Sequence, residues 1–180
     1  SVPVAAQDWQ RLVDALAPTE LYVTLSPLEH LYDHPDPAVR CAVVHALGRF
    51  LYKRSFMTLR RALSDPAPTV RARAADSVEQ LHFPHAFDPL ARIYRESVDL
   101  APRLSALRAL AKVDTEEATE MVMGVLRHAG PSEREQVVRA LSKSCGPRLL
   151  RAATDAMPSA CPDFAKSLRD VLGAQGLRSR

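Results

Sequence analysis

The amino-acid sequence predicts an all-α protein, an α-solenoid of about five helix pairs that follow one N-terminal entry helix. The first observation behind this prediction is a phrase that returns at a nearly fixed interval. HPDPAVR begins at residue 34, DPAPTVR begins at residue 65, and degenerate copies begin at residues 101 and 132. The arginines of the four copies lie 31, 32 and 31 residues apart: Arg40, Arg71, Arg103 and Arg134. Self-similarity at such a period is typical of stacked helical repeats.

The second observation is that apolar residues recur in register around these phrases. Each copy has three of them, and each column repeats at intervals of 31 residues. Within one copy they lie at i, i+3 and i+7, which is one face of an α-helix. The columns are Leu25, Phe56, Phe87 and Ala118; Leu28, Leu59, Leu90 and Met121; and Tyr32, Leu63, Tyr94 and Val125. They predict the first helix of each pair.

The second helix of each pair follows the arginine and carries columns of its own. The apolar ones are Val43, Ala74, Ala106 and Val137, and then Leu47, Val78, Leu110 and Leu141. A column of small residues would let neighbouring helices approach closely: Ala46, Ser77, Ala109 and Ala140. The composition agrees, because 47% of the residues are hydrophobic and only 6% are aromatic. Most of the 14 prolines fall between helical stretches, where a proline ends or starts a helix.

The elements follow one another along a single predicted domain, residues 1–180. An entry helix is expected near 7–16, with its apolar residues at Trp9, Leu12, Val13 and Leu16. Five repeats are expected near 24–51, 55–81, 86–113, 117–144 and 147–173, followed by a tail, 174–180. Their helices are predicted near 24–33 and 38–51, 55–64 and 68–81, 86–96 and 102–113, 117–128 and 132–144, and 147–156 and 163–173.

The two ends of the array are expected to differ from its middle. One helix pair cannot bury its apolar face alone, so each pair needs a neighbour and the ends need caps. The entry helix is predicted to cap the first pair. The fifth pair is degenerate, because Phe164 lies where the arginine is expected, and it is predicted to cap the other end.

Charge and cysteine content narrow the class of protein only slightly. The chain has 180 residues, which fits one domain, and a net charge of +3, which neither demands nor excludes a polyanionic partner. Its three cysteines form no CxxC pair, which favours reduced thiols and a cytoplasmic location. The sequence contains no run of about 18 apolar residues, so it predicts no membrane span. The first residues also lack the basic-then-apolar order of a signal peptide.

The string HPDPAVRCAVVHALGRF, followed by SDPAPTVRARAADSVEQL, resembles the short bacterial HEAT repeat named after phycobilin lyase subunits. The resemblance extends over residues 24–144, and the first two copies carry it most fully. It implies a right-handed α-solenoid whose second helices line a concave surface. It also implies a binding scaffold in most members, an enzyme subunit in a few, and a DNA glycosylase in a HEAT-like minority.

The arginine column has a structural and a functional interpretation. An arginine in the first turn of a second helix can bond an aspartate or a carbonyl group in an adjacent turn, and its planar fork suits a carboxylate. Asp36 and Asp65 are the expected partners. The functional alternative is a ladder of anion-binding sites. We favour the structural interpretation, although the position of Asp65 is occupied in the other copies by His34, Ser97 and His128.

A second column lies five residues after the arginines and varies from copy to copy: His45, Asp76, Arg108, Arg139 and Arg169. A further column follows four residues later, with Arg49, Gln80, Lys112 and Lys143. Together they predict a basic stripe in the C-terminal half of the concave surface, namely Arg108, Lys112, Arg139, Lys143 and Arg169. Such a stripe could bind acidic peptides or phosphates, and the alternative is an ordinary solvated face. The stripe has no aromatic residues that could stack on bases.

Metal and thiol sites are poorly supported by the sequence. His82 and His85 flank a proline in a connection, and no third ligand lies nearby, whereas zinc needs three or four. His30 and His34 are four residues apart, but a proline follows directly. Cys41 lies at the start of a second helix, where a thiolate would be favoured, yet its apolar neighbours favour a packed thiol.

Catalysis is the least supported class of function. The six glycines are scattered singly, and the sequence has no GxSxG or HExxH motif. Asp76 is the one acidic residue expected at a concave position. We therefore predict a non-catalytic adaptor without a cofactor, which binds a partner protein or another domain of acidic character. The alternatives are a nucleic-acid binder related to the HEAT-like glycosylases and a subunit similar to the phycobilin lyases.

Overall fold

The structure, a computed structural model, describes residues 6–16, 24–50, 52–142 and 145–176. Its regular elements in these ranges are all helical, and every helix predicted from the sequence is present within a few residues of its expected bounds. The helices are α1 Ala6–Leu16, α2 Leu25–Leu31, α3 Pro37–Leu47, α4 Ser55–Ala62, α5 Pro68–Gln80, α6 Phe87–Glu96, α7 Leu100–Leu110, α8 Glu116–His128, α9 Pro131–Leu141, α10 Pro147–Ala156 and α11 Pro162–Gly176. Short 3-10 turns lie at Pro84–Ala86 and Met157–Ser159.

Proline begins many of these helices. It occupies the first helical position of α3, α5, α9, α10 and α11. The first N–H groups of a helix have no intrahelical acceptor, so a proline costs nothing there, and its fixed φ angle suits the helix. Helix α7 is an exception, because it begins at Leu100, two residues before the predicted start at Pro102. The proline is accommodated within the first turn, where its missing N–H is still not needed.

Residues Ser1–Leu81 form one compact unit, in which α3 is the central helix. Helices α1, α2, α4 and α5 each pack against α3. The side chains between them are fully buried, as the apolar columns predict, and include Leu25, Leu28, Val43, Leu47 and Leu59. This packing places the turn before α3 and the turn before α5 at the surface of the same unit.

Helices α3 and α5 approach each other closely at Gly48. A Cβ atom added to Gly48 would lie 2.6 Å from the Cβ atom of Ser77. The Ser77 hydroxyl also donates a hydrogen bond to the carbonyl of Val44, at 3.1 Å. The column of small residues therefore has the function predicted for it at this position, since a larger side chain would hold the two helices apart.

Residues His82–Arg180 form the second compact unit. Helix α7 packs against α6, α8 and α9, α9 packs against α11, and α10 packs against both α8 and α11. The second helices α7, α9 and α11 thus lie side by side in sequence order. Their buried residues include Ala106, Leu110, Val137, Leu141 and Leu168. No helix in the described part of the chain is long and apolar enough to cross a membrane.

Candidate interaction surface

In the first unit, Arg40 links two successive turns through Asp65. Its Nε and Nη2 atoms each donate to a different oxygen of the Asp65 carboxylate, both at 2.9 Å. Its Nη1 atom donates to the carbonyls of His34 and Pro35, at 3.0 and 2.8 Å. The guanidinium therefore ties the turn before α3 to the turn before α5. The side chains are 13% exposed for Arg40 and 3% exposed for Asp65.

Asp65 is the centre of this network and accepts from four donors. Besides the two bonds from Arg40, its carboxylate accepts from the Tyr32 hydroxyl at 2.7 Å and from the backbone N–H of Ala67 at 2.9 Å. Burial alone would raise the pKa of Asp65, but the bonds from Arg40, Tyr32 and Ala67 outweigh it and lower the pKa to about 2. The same burial, together with the hydrogen bond to Asp65, raises the pKa of Tyr32. The network is therefore charged and fully formed at neutral pH.

The other expected partner of the arginines, Asp36, has a different role. Its carboxylate accepts a hydrogen bond from the backbone N–H of Ala38 at 2.8 Å and so caps the N-terminus of α3. An aspartate is well suited to this position because it satisfies one of the free N–H groups of the first turn. Within the described residues Asp36 forms no ion pair with an arginine, so the expected pairing is not met and its role is to cap α3.

Arg71 repeats only part of the Arg40 arrangement. Its Nη1 atom donates to the carbonyls of Asp65 and Pro66, at 2.7 and 3.0 Å, as Arg40 does to the carbonyls of its own turn. The residue that matches Asp65 in the next copy is Ser97, which cannot accept as a carboxylate does. The contact that all such turns can share is thus the one to backbone carbonyls.

In the second unit the arginines of the column bond acidic residues that the sequence did not single out. Arg103 contacts Glu133 at 2.6 Å, and its guanidinium lies over the ring of Tyr94, 5.1 Å from the centroid. Arg134 contacts Asp163 at 3.4 Å. Both acids lie in the first turn of the next second helix, where a negative charge also suits the helix dipole. The missed signal is their spacing, which is 30 residues after Arg103 and 29 after Arg134.

The predicted basic stripe lies on the second helices of this unit, and its members differ in their surroundings. Arg108, in α7, is half-buried and donates to the hydroxyl of Ser105 at 3.0 Å. Lys112 lies just beyond the end of α7 and is also half-buried. Arg139, in α9, is exposed and pairs with Glu135 at 2.8 Å, one turn earlier in the same helix. Arg169, in α11, is exposed, and Lys143 lies outside the described residues.

These positions recur on three helices that pack side by side. Arg108, Arg139 and Arg169 stand 31 and 30 residues apart, on helices that pack in the order α7, α9, α11. Lys166 is a further exposed cation, one turn before Arg169, that the sequence columns did not reveal. Its signal was its spacing in α11, where it shares the exposed side with Arg169. We call the set Arg108, Lys112, Arg139, Lys166 and Arg169 the basic face.

The basic face also contains acidic residues. Glu135 is bonded to Arg139, and a shallow cavity of about 330 Å³ between α9 and α11 is lined by Arg134 and Lys166 but also by Glu135, Asp163 and Asp170. This mixture does not concentrate positive charge in one pocket. The cavity is therefore poorly suited to hold a single phosphate, which needs positive charge that is not offset by neighbouring carboxylates.

The histidines considered as metal ligands have other contacts or surroundings. The imidazole Nδ1 of His34 accepts from the backbone N–H of Asp36 at 3.1 Å, and His30 bonds the carbonyl of Ser26 at 2.7 Å. His82 and His85 are both exposed, on either side of a short 3-10 turn. Across the described residues, no group of three or more His, Cys, Asp or Glu side chains could hold a metal ion.

The cysteines are not disulfide-bonded. Cys145 donates to the carbonyl of Leu141 at 3.1 Å, and burial raises the pKa of its thiol to about 11. Cys41 is half-buried and Cys161 is exposed. A thiol with the pKa of Cys145 stays protonated at neutral pH and is a poor nucleophile.

The geometry defines an all-helical protein of repeated helix pairs. Residues 25–105, which are less than half of the chain, match the family model of HEAT repeats. This match supports a relation to the HEAT-repeat family. No curated protein matches the chain at a significant level. Among solved structures, the chain is similar to a crystal structure of an engineered protein from the Northeast Structural Genomics Consortium, at 13% identity, with 96% of this chain and 89% of that chain covered and a TM-score of 0.40. A likeness at this level does not bear on function.

Proposed function

We propose that the chain is a non-catalytic scaffold, a HEAT-like α-solenoid of five helix pairs, which binds a partner protein of acidic character on the basic face. HEAT repeats commonly mediate protein interactions, and the match over residues 25–105 supports a scaffold of this kind. Its bacterial origin and its likeness to the phycobilin-lyase type remain predictions from the sequence alone. A cytoplasmic location is likewise a prediction, which rests on the unpaired cysteines.

The observation that carries the proposal is the register of the cations. Arg108, Arg139 and Arg169 occupy matching positions on three helices that pack side by side. A rigid row of this kind presents charges at the spacing of the helices, and an extended acidic segment could contact several of them at once. Each exposed pair contributes little alone, but complementary charge raises the rate of encounter and fixes the orientation of the partner.

The exposure of each side chain determines which residues of the basic face are suitable for substitution. Arg108 and Lys112 are half-buried, so their substitution would disturb packing as well as charge. Arg139 and Arg169 are exposed, and reversal of their charge leaves the core intact. The test variant is therefore Arg139→Glu with Arg169→Glu. The matched control is Arg95→Glu with Arg151→Glu, which changes two exposed arginines on the first helices of the same unit.

The experiment is an affinity capture from the source cells with quantitative mass spectrometry, run in parallel on the wild type, the test variant and the control. We expect proteins captured by the wild type and the control to be depleted by about tenfold or more with the test variant, at unchanged circular dichroism. Equal capture by all three proteins would show that the basic face does not bind the captured partners. Duplex DNA titrated at two salt concentrations tests the alternative, because salt-sensitive DNA binding would favour a nucleic-acid partner.

A further inference from the structure

The most one-sided charge distribution in the chain lies outside the basic face. Residues 37–64 contain six lysines and arginines and no aspartate or glutamate. Four of these cations belong to a short stretch around α4: Lys53, Arg54, Arg60 and Arg61. Because the whole chain contains 21 acidic residues, a segment of this length would be expected to include aspartate or glutamate. The surface of α4 is therefore distinct from the mixed surface of the second unit.

Helix α4 separates this charge from its apolar side. Phe56, Leu59 and Ala62 are buried in the core of the first unit. The residues of the opposite side are all exposed: Lys53, Arg54, Met57, Arg60, Arg61 and Ser64. Met57 lies in the middle of this side and is 73% exposed. Among the described residues, one large apolar side chain thus projects from a ring of four cations.

Two acidic residues, one in α2 and one just after it, are each bonded to an arginine in or directly before α4. Glu29 accepts from Arg54 at both of its oxygens, with a closest distance of 2.7 Å. Asp33 accepts from Arg61 at 2.6 Å. These two ion pairs draw Arg54 and Arg61 towards α2. Lys53 forms no ion pair within the described part of the chain, so its charge beside Met57 is not balanced there by an acidic side chain.

We propose that the exposed side of α4, which we call the α4 surface (Lys53, Met57 and Arg61), binds a protein segment that presents one large apolar side chain between aspartates or glutamates. The unbranched, polarisable side chain of Met57 adapts to an apolar group of a partner. Lys53 would pair with one flanking carboxylate, and a second carboxylate would compete with the exposed Asp33 for Arg61. This surface belongs to the first unit and to a first helix, so it goes beyond the binding proposed for the basic face.

A membrane surface or a nucleic acid fits the same observations less well. An interfacial helix inserts a whole apolar face, with several large side chains, into the lipid boundary. The apolar face of α4 is already used in the core, and Met57 alone offers too little area. Single-stranded nucleic acids are held by aromatic platforms, on which bases stack, and a methionine in the centre of the surface supplies none.

The test measures binding of defined probes by fluorescence anisotropy. The first probe is a labelled ten-residue peptide with one phenylalanine between pairs of aspartates, and the second has serine in place of that phenylalanine. A labelled oligothymidine and vesicles that contain phosphatidylserine represent the other two classes of partner. The test variant is Lys53→Glu with Met57→Ser, both at exposed positions.

Two control variants match the two changes. Arg73→Glu reverses an exposed cation on α5 of the same unit, and Val98→Ser removes an apolar side chain that is 96% exposed. We expect the phenylalanine peptide to bind the wild type and both controls, and its affinity to fall about tenfold in the test variant. We also expect the serine peptide to bind the wild type about fivefold more weakly than the phenylalanine peptide.

Three results would overturn the proposal. The first is no binding of the phenylalanine peptide to the wild type at low salt. The second is equal binding of that peptide to the wild type and the test variant. The third is a preference of the wild type for the oligothymidine or the vesicles over the peptide, which would assign the α4 surface to one of those classes. None of these results affects the capture experiment on the basic face, whose variants lie in the other unit.

Discussion

Replacement of Asp65 by asparagine is the most informative single change in the first unit. The substitution keeps the shape of the side chain, but it places an NH2 group next to N–H and O–H donors that bond a carboxylate oxygen in the wild type. Arg40 loses its fork-to-fork partner, although it keeps its bonds to the carbonyls of His34 and Pro35. Loss of one partner of a buried ion pair typically costs about 3–5 kcal/mol. The remaining carbonyl bonds place the expected loss at the lower end, about 3 kcal/mol.

The lowered pKa of Asp65 gives the order of magnitude of the part of this loss that depends on ionisation of the carboxylate. The pKa falls from 3.8 to about 2, and at about 1.4 kcal/mol per pKa unit the ionised carboxylate contributes about 2.5 kcal/mol to the free energy of unfolding. Because the pKa is lowered in the folded state, the contribution is complete well above pH 4 and is lost as the pH falls towards 2. Asp65→Asn should therefore be about 3 kcal/mol less stable than the wild type at pH 7, and this difference should shrink by about 1 kcal/mol at pH 3.

The assay is urea unfolding followed by the fluorescence of Trp9, the only tryptophan of the chain, which lies in the first unit. The control is Asp33→Asn, which breaks an ion pair with Arg61 whose side chains are 60% and 63% exposed. Exposed pairs contribute less than about 1 kcal/mol, so the control should remain close to the wild type. A loss of under 1 kcal/mol in Asp65→Asn, or a difference that does not change between pH 7 and pH 3, would refute the reasoning.

Two further predictions concern packing and thiol reactivity. Gly48→Ala should lower the free energy of unfolding by about 1–3 kcal/mol, because the added methyl group would lie 2.6 Å from Ser77. In Gly124→Ala the added methyl group meets no atom within 4 Å, so the free energy of unfolding should rise by about 0.5–1 kcal/mol, because alanine favours a helix more than glycine does. Urea titrations of both variants measure these changes. Equal losses of stability in the two variants would contradict the prediction. In thiol titration with a disulfide reagent at pH 8, the exposed Cys161 should react at once and Cys145, with its pKa of about 11, only slowly. Equally fast labelling of both would show that Cys145 is not protected.

The sequence predicted the helices well because their signals are local and repeated. Apolar columns in register across four copies fix which face of each helix is buried, and prolines mark many of the starts. The helix bounds were less accurate where two rules compete, as at α7, where Pro102 is accommodated within the first turn instead of beginning it. Helix α3 ends at Leu47, four residues before the predicted end, and Gly48 follows as its C-terminal cap.

The partners of the arginines were harder to predict, because a guanidinium can choose among several nearby acceptors. Arg40 bonds an aspartate in the turn before the next second helix, whereas Arg103 and Arg134 bond acids inside the first turn of that helix, Glu133 and Asp163. The choice depends on which of these positions carries a carboxylate in each copy. The same limit applies to Lys166, whose place beside Arg169 follows from the orientation of α11 and not from the repeat itself.

The direction of these arginine bonds has a consequence for synthesis on the ribosome. Each carboxylate lies later in the chain than the arginine that bonds it: Asp65 follows Arg40 by 25 residues, Glu133 follows Arg103 by 30, and Asp163 follows Arg134 by 29. At about 5–20 residues per second, an arginine emerges roughly 1–6 s before the carboxylate that it will bond. During this interval Arg40 has its own acceptors, the carbonyls of His34 and Pro35, so the turn can close first and the ion pair is added when the next copy arrives.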